Sequence, residues 1–274
     1  MNAGAPDRTG GVDRPVAVVT GAARGIGAAV AEGLAAAGWD LVLGDVDRPD
    51  AVSGLTYPLA GRAERRQVAR RCRDLGAGVV VAACDVRDES QVAKLVGRAG
   101  PRLRAVVAVA GIVAADGPAW EQTAADLDRD LSVNLHGIAN LARAAVPRLL
   151  ATPEPTRCRF VAVISSAADR GLPLLASYVT SKHAALGYVR TLAADLAPTG
   201  VTANAVLPGS TRTTLLARTA GVYGLSSPEG FAANQRIGRL IEPPEVAAAV
   251  VWLCSEAASA TTGTALRLDG GFTG

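Results

Sequence analysis

Lysine is nearly absent from the 274-residue chain: Lys94 and Lys182 are the only two, so arginine carries almost all the positive charge. The net charge of +3 is too small to argue for a nucleic acid or an anionic membrane as partner. Histidine is equally scarce, with His136 and His183 alone, and the four cysteines, Cys72, Cys84, Cys158 and Cys254, form no CxxC pair. That excludes the usual zinc spacings and reads as free thiols in a reducing compartment. Long apolar runs are missing too. The longest, Ala105 to Ala115, is interrupted by Gly111 and falls short of the roughly 18 residues that a membrane span needs. The segment Met1–Arg14 is polar and glycine-rich, without the apolar stretch of a signal peptide, and is expected to be a disordered tail on a cytoplasmic protein.

Hydrophobic residues make up 49% of the chain, enough for a full core. Strand-length apolar runs alternate with Ala-rich helical stretches. Strands are expected at Pro15–Thr20, Leu41–Asp45, Gly78–Ala83, Arg104–Val109, Arg159–Ser165, Val201–Val206 and Ala265–Leu268. Helices are expected at Gly25–Gly38, Ala63–Leu75, Glu89–Ala99, Ala176–Ala197 and Pro244–Ser255, with one long helix from Ala124 to Leu150 bent near Pro147. Strands apolar on both faces and separated by helices describe an α/β fold: a single Rossmann-like, doubly wound parallel sheet of about seven strands with helices on both faces. No linker divides residues 15–274, so one domain is expected. An insertion at 46–62 and a Thr-, Gly- and Ser-rich stretch at about 209–240 follow strand ends, where open α/β sheets bind ligands, and are candidate lids.

The first strand runs into Thr20-Gly21-Ala22-Ala23-Arg24-Gly25-Ile26-Gly27 and then directly into a helix. Glycines there permit a tight turn and let a pyrophosphate approach the positive end of the helix. The second strand ends in Asp45, whose carboxylate suits both ribose hydroxyls of an adenosine and repels a 2′-phosphate. Arg24 argues the other way, because its guanidinium could hold a phosphate. NAD is the expected cofactor.

Tyr178 and Lys182 stand four apart in an expected helix and so share a face. A tyrosine at pKa about 10 is a poor base near neutrality, and a nearby ammonium favours its phenolate. Such a pair can take a proton from a substrate hydroxyl. Ser165 and Ser166, at the end of the preceding strand, can donate to the substrate oxygen, and Asn134 could hold a water that relays protons from the lysine. Each alone has a plain structural reading; together and in this order they are specific.

In these motifs the chain resembles the short-chain dehydrogenase/reductase family from about Val16 to Gly271. The resemblance also rests on Cys84-Asp85-Val86, on Asn204-Ala205-Val206-Leu207-Pro208-Gly209 and on Leu268-Asp269-Gly270-Gly271-Phe272. It implies that Tyr178 is the catalytic acid/base, that Lys182 lowers its pKa and binds the nicotinamide ribose, and that Asn134 holds the relay water. It further implies that Gly21, Arg24, Gly25, Ile26 and Gly27 form the phosphate turn and that Asp85 and Val86 contact adenine. Ala110 and Gly111 would border the ribose, and Pro208, Gly209, Thr211 and Thr213 would lie near the nicotinamide and pyrophosphate. Two departures stand out. The family's Asn-Asn-Ala-Gly reads Ala108-Val109-Ala110-Gly111 here, and the serine usually thirteen residues before the tyrosine is Ser165, whereas the second of the pair, usually the catalytic one, is Ser166. Ser166 is taken as the catalytic serine, assuming one residue lost from Ala167–Gly171, with Ser165 as the alternative.

The segment Leu55-Thr56-Tyr57-Pro58-Leu59-Ala60 is similar to the insertion of the mycofactocin-coupled, carveol dehydrogenase-like subgroup. That implies NAD held under the insertion and reoxidised in place by mycofactocin, whereas a plain surface loop is the alternative. Leu215, Leu216, Val222, Tyr223, Leu225 and Phe231 suggest a small apolar alcohol or ketone as substrate, though they could equally be helix core. An NADPH-dependent carbonyl reductase with exchangeable cofactor stays open, as does a non-catalytic NAD-binding sensor. A homotetramer is expected from the resemblance.

Overall fold

The computed structural model describes residues 14–274. The expected N-terminal tail lies outside them except for Arg14, whose guanidinium donates to the Gly76 carbonyl at 2.6 Å. Seven parallel strands form one sheet in the order β3-β2-β1-β4-β5-β6-β7. They are β1 (Val16–Thr20), β2 (Asp40–Asp45), β3 (Val79–Ala83), β4 (Leu103–Ala108), β5 (Arg159–Val163), β6 (Thr202–Pro208) and β7 (Ala265–Leu268). The alternation of side chains along β1 shows why the strands read as continuously apolar. Val16 and Val18 enter one core with Val42 and Val106, while Ala17 and Val19 enter the other with Leu41 and Leu43. Helices cover both faces, so neither side of a central strand meets water.

One face packs α1 (Gly25–Ala36), α2 (Arg62–Asp74) and α8 (Pro243–Cys254); the other packs α3 (Glu89–Gly97), α4 (Ala124–Asn134), α5 (His136–Leu150) and α6 (Ala176–Leu196). The order reverses between β1 and β4, which opens a crevice at their carboxyl ends. The family architecture expected from the sequence is thus the one found.

One local expectation is corrected. The long helix of Ala124–Leu150 is two helices, and the break falls at Leu135 rather than near Pro147. Leu135, with φ −109° and ψ −57°, is a distorted helical residue at the junction. The neighbouring Asn134 turns its amide toward the segment that leaves β4, where it bonds the backbone of Ile112, and that competition for backbone partners disfavours helix interiors. Pro147 sits inside α5 without ending it. The 209–240 stretch, unassigned from its composition, contains α7 (Thr214–Val222), started by Thr213, whose hydroxyl accepts from the Leu216 amide at 3.2 Å. Among the described residues no helix is long and apolar enough to cross a membrane.

Candidate active site

A cavity of about 680 Å³ runs along the carboxyl ends of the strands, from Asp45 and Val86 at one end to Phe231 and Phe272 at the other. Gly21, Arg24, Gly25, Ile26, Gly27, Asp45, Asp85, Val86, Ala110, Gly111, Ser166, Tyr178, Lys182, Pro208, Gly209, Thr211 and Thr213 all line it. Asn134 is the exception and lies behind the wall.

The glycine turn is shaped by close approach. Gly21 has φ +66°, and a Cβ on Gly27 would stand 1.9 Å from the Gly21 carbonyl oxygen. The start of α1 therefore faces the cavity as bare backbone, and Arg24 at its N-cap makes no side-chain cap bond. Such an end suits a phosphate. Asp45 is anchored from both sides: one carboxylate oxygen accepts from the Ala23 amide and the other from the Val46 amide, each at 2.8 Å. Burial pushes its carboxyl upward and the two amides pull it back. Each oxygen keeps a further lone pair, so Asp45 can still accept from a ribose. The cavity's backbone floor and the carboxylate beside the turn fit a dinucleotide.

One N–H of the Arg24 guanidinium donates to the Pro58 carbonyl at 2.9 Å. That bond belongs to a set that seats the insertion. The Val113 amide donates to the Tyr57 hydroxyl at 3.1 Å, Arg87 donates to the Ala51 carbonyl at 2.8 Å, and Arg65 holds the Asp45 carbonyl at 2.6 Å together with the Asp47 carboxylate. Val52, Tyr57, Leu59 and Ala60 line the cavity. The insertion is a wall of the site rather than a free surface loop. Asp85 also lines the cavity, but its carboxylate is taken by Arg87 at 2.6 Å.

At the centre, the Tyr178 hydroxyl is hydrogen-bonded to Ser165. The geometry thus couples Tyr178 to the serine held as the alternative. Ser166 lies one residue on, in a 3₁₀ turn that Ser165 opens by accepting from the Ala167 amide at 3.1 Å. Lys182 Nζ lies 5.5 Å from the Tyr178 ring centroid. Burial pushes the Tyr178 hydroxyl up to about 12, the Ser165 bond opposes this, and Asp130 and Tyr57 add to it. Burial pushes Lys182 down to about 8, against the pull of Asp130. Burial is the largest influence on the Tyr178 hydroxyl, and the Lys182 ammonium lies by the ring face.

Each polar atom of the Asn134 side chain has a protein partner, and its oxygen keeps a further lone pair. Its oxygen accepts from the Ile112 amide at 2.9 Å, and its nitrogen donates to the Ile112 carbonyl at 3.0 Å and to Ser181 Oγ at 2.9 Å. A Cβ on Gly111 would meet Lys182 Nζ at 3.1 Å and Asn134 Oδ1 at 3.2 Å, so the missing side chain at Gly111 is what lets these groups approach the cavity. The departure at Ala108-Val109 is compensated by Thr20, whose hydroxyl accepts from the Val109 amide at 3.3 Å.

Three residues near this centre were not singled out in the sequence. Tyr57 lies in a segment noted for its resemblance, but nothing in its neighbours marks it as a site residue. Asp130 belongs to the charged run Asp126–Asp130 and is its one fully buried carboxylate; its i, i+4 spacing to Asn134 was the available signal. Ser177 donates to Asp130 at 2.8 Å.

Fold and site together define a nucleotide-binding α/β oxidoreductase. The family model described as enoyl-(acyl carrier protein) reductase matches residues 21–273. The chain belongs to the short-chain dehydrogenase/reductase family, whose members bind a nicotinamide cofactor. It is 36% identical to the cis-4-hydroxycyclohexanecarboxylate dehydrogenase of Sinomonas cyclohexanicum, over 94% of this chain and 96% of that one. It is 34% identical to the (−)-trans-carveol dehydrogenase of Rhodococcus erythropolis, over 96% and 98%. The crystal structure of carveol dehydrogenase from Mycobacterium avium in complex with NAD superposes with a TM-score of 0.87 at 27% identity, covering 96% of this chain and 99% of that one.

Proposed function

We propose that the protein is an NAD-dependent dehydrogenase that interconverts an alicyclic secondary alcohol and its ketone. The observation that carries this reading is one cavity with Asp45 beside the glycine turn at one end and the Ser165–Tyr178–Lys182 group under an apolar vault at the other. NAD, when bound, supplies the hydride acceptor. Tyr178 takes the hydroxyl proton of the substrate, and the serine hydroxyl donates to the same oxygen and holds it in place. Ser165 fills that second role better than Ser166, because it already bonds Tyr178. Lys182 keeps positive charge beneath the ring, and Asn134 fixes the backbone at Ile112 that borders it. Leu172, Leu215, Tyr223 and Phe231 exclude water around an apolar ring. The relatives named for hydroxycyclohexanecarboxylate and carveol act on such rings, which supports the choice of a cyclic alcohol.

The insertion adds a finer reading: NAD is held tightly and reoxidised in place by mycofactocin. Its support is the seating of Tyr57 and Pro58 over the cavity wall, together with the resemblance of the segment. A homotetramer belongs to the same proposal. Exchangeable NADPH chemistry is disfavoured by Asp45. The test is purification without added cofactor, followed by nucleotide analysis and assay with cyclic alcohols. Bound NAD that is reduced once by cyclohexanol-type substrates, with cycling restored by an artificial electron acceptor, is the expected result. An empty protein that turns over freely with NADPH and ketones overturns it.

A further inference from the structure

The described residues bury one carboxylate at the reaction centre to which no step has been assigned. Asp130 is 0% exposed. One of its oxygens accepts from the Ala114 amide at 3.0 Å and lies 3.5 Å from the Asn134 amide nitrogen; the other accepts from Ser177 Oγ at 2.8 Å. Ser177 precedes Tyr178 on α6, and its own amide donates to Gln122 Oε1 at 2.8 Å. Asp130 thus ties α4 to α6 and to the chain leaving β4, at the place where all three converge on the lysine and tyrosine.

We propose that Asp130 is a positioning residue of the reaction: its carboxylate locks Ser177 and the β4 exit in place and supplies the counter-charge that holds Lys182 as an ammonium beside Tyr178. This deepens the reading in which Tyr178 and Lys182 carry the chemistry, and it rests on that reading. The charged and titratable groups facing Asp130 are Lys182 and Tyr178 from α6, Tyr57 from the insertion and Arg129 from its own helix. Burial raises its carboxyl to about 6, opposed first by the Ser177 bond, then by the Ala114 amide, Lys182 and Arg129. Asp130 therefore changes charge just below neutrality. Its anion raises both neighbours: it favours the lysine ammonium and disfavours the tyrosine phenolate. Removing the anion lowers both, so the titrations of Lys182 and Tyr178 move toward acid together.

The scarcity of lysine makes this directly observable. Protein labelled with 13C at lysine Cε gives two side-chain signals, one from exposed Lys94 and one from buried Lys182. In the wild-type protein the Lys182 signal is expected to show an inflection near pH 6, as Asp130 ionises, and its own midpoint near 8. In Asp130→Asn, which keeps the side chain's shape, the inflection disappears and the Lys182 midpoint falls by roughly one unit. Ser177→Ala loses a hydrogen bond but keeps the charge, and its Lys182 midpoint stays put. A wild-type Lys182 signal without the lower inflection overturns the proposal, as does a midpoint unchanged in Asp130→Asn or lowered equally in Ser177→Ala. If Asp130→Asn does not fold, the wild-type inflection decides alone. These signals are read without turnover, so they fail independently of the assigned reaction, which Tyr178→Phe tests.

Discussion

Tyr178 combines two demands that ordinarily conflict. It is buried enough to be dry, which pushes its hydroxyl up to about 12, yet as a base it must lose its proton near neutrality. The Ser165 bond is what this chain sets against burial. Deleting the hydroxyl removes the proton acceptor while leaving the ring as packing, so Tyr178→Phe should lower the turnover of a cyclic alcohol roughly 10²–10⁴-fold. NAD affinity, read by fluorescence titration, should hardly change; turnover within tenfold of wild type would refute the assignment. The two serines separate by the same logic. Ser165→Ala removes the bond to Tyr178 and should cost more than Ser166→Ala in kcat/KM. The opposite order would return the role to Ser166.

The elements show how far the chain could be read before it was seen folded. Apolar runs such as Val16–Thr20 and Arg159–Val163 are strands because they are buried on both faces, and that signal is local, so it survives in the sequence. The Tyr178–Lys182 spacing survives for the same reason, since helix geometry alone places the two side chains together. What stayed hidden depends on partners far along the chain. Asn134 bonds Ile112, Ser165 pairs with Tyr178, and Arg24 donates to Pro58. No window of neighbouring residues contains those partners. The insertion is the clearest case: its composition reads as loop, and only its bonds to Arg24, Arg65, Arg87 and the Val113 amide make it a wall. Replacing residues 47–60 with a four-residue turn removes Tyr57 and Pro58 from that wall. Affinity differences among related complexes lie mostly in the off-rate, so the shortened protein should release NAD faster, by about tenfold or more in stopped flow, with a smaller change in the on-rate. Unchanged release would leave the segment a structural brace.

At the scale of the whole molecule, the cofactor preference becomes a stability difference. The glycine turn, Asp45 and the strand ends that line the cavity belong to one sheet, and helices anchored on both of its faces meet there. A ligand that binds only this folded arrangement stabilises it by mass action, by about 2.7 kcal/mol at a hundred times its dissociation constant. For a chain somewhat over 250 residues, about 2–4 °C accompanies each kcal/mol, so saturating NAD should raise Tm by roughly 5–10 °C. NADP at the same concentration should raise it far less, because its 2′-phosphate would meet the Asp45 carboxylate. The measurement must start from protein stripped of nucleotide, since tightly held NAD would already have raised the baseline. Asp45→Ala combined with Val46→Arg should reverse the order of the two cofactors. It should also lower the Tm of the stripped protein, because the Ala23 and Val46 amides lose the part-buried carboxylate that accepts from them. The reversal and the lowering separate two roles of one side chain: the first reads the charge that Asp45 presents to the ribose, the second the anchor it gives to the turn. Equal shifts by NAD and NADP in the wild-type protein would show that Asp45 serves only as the anchor.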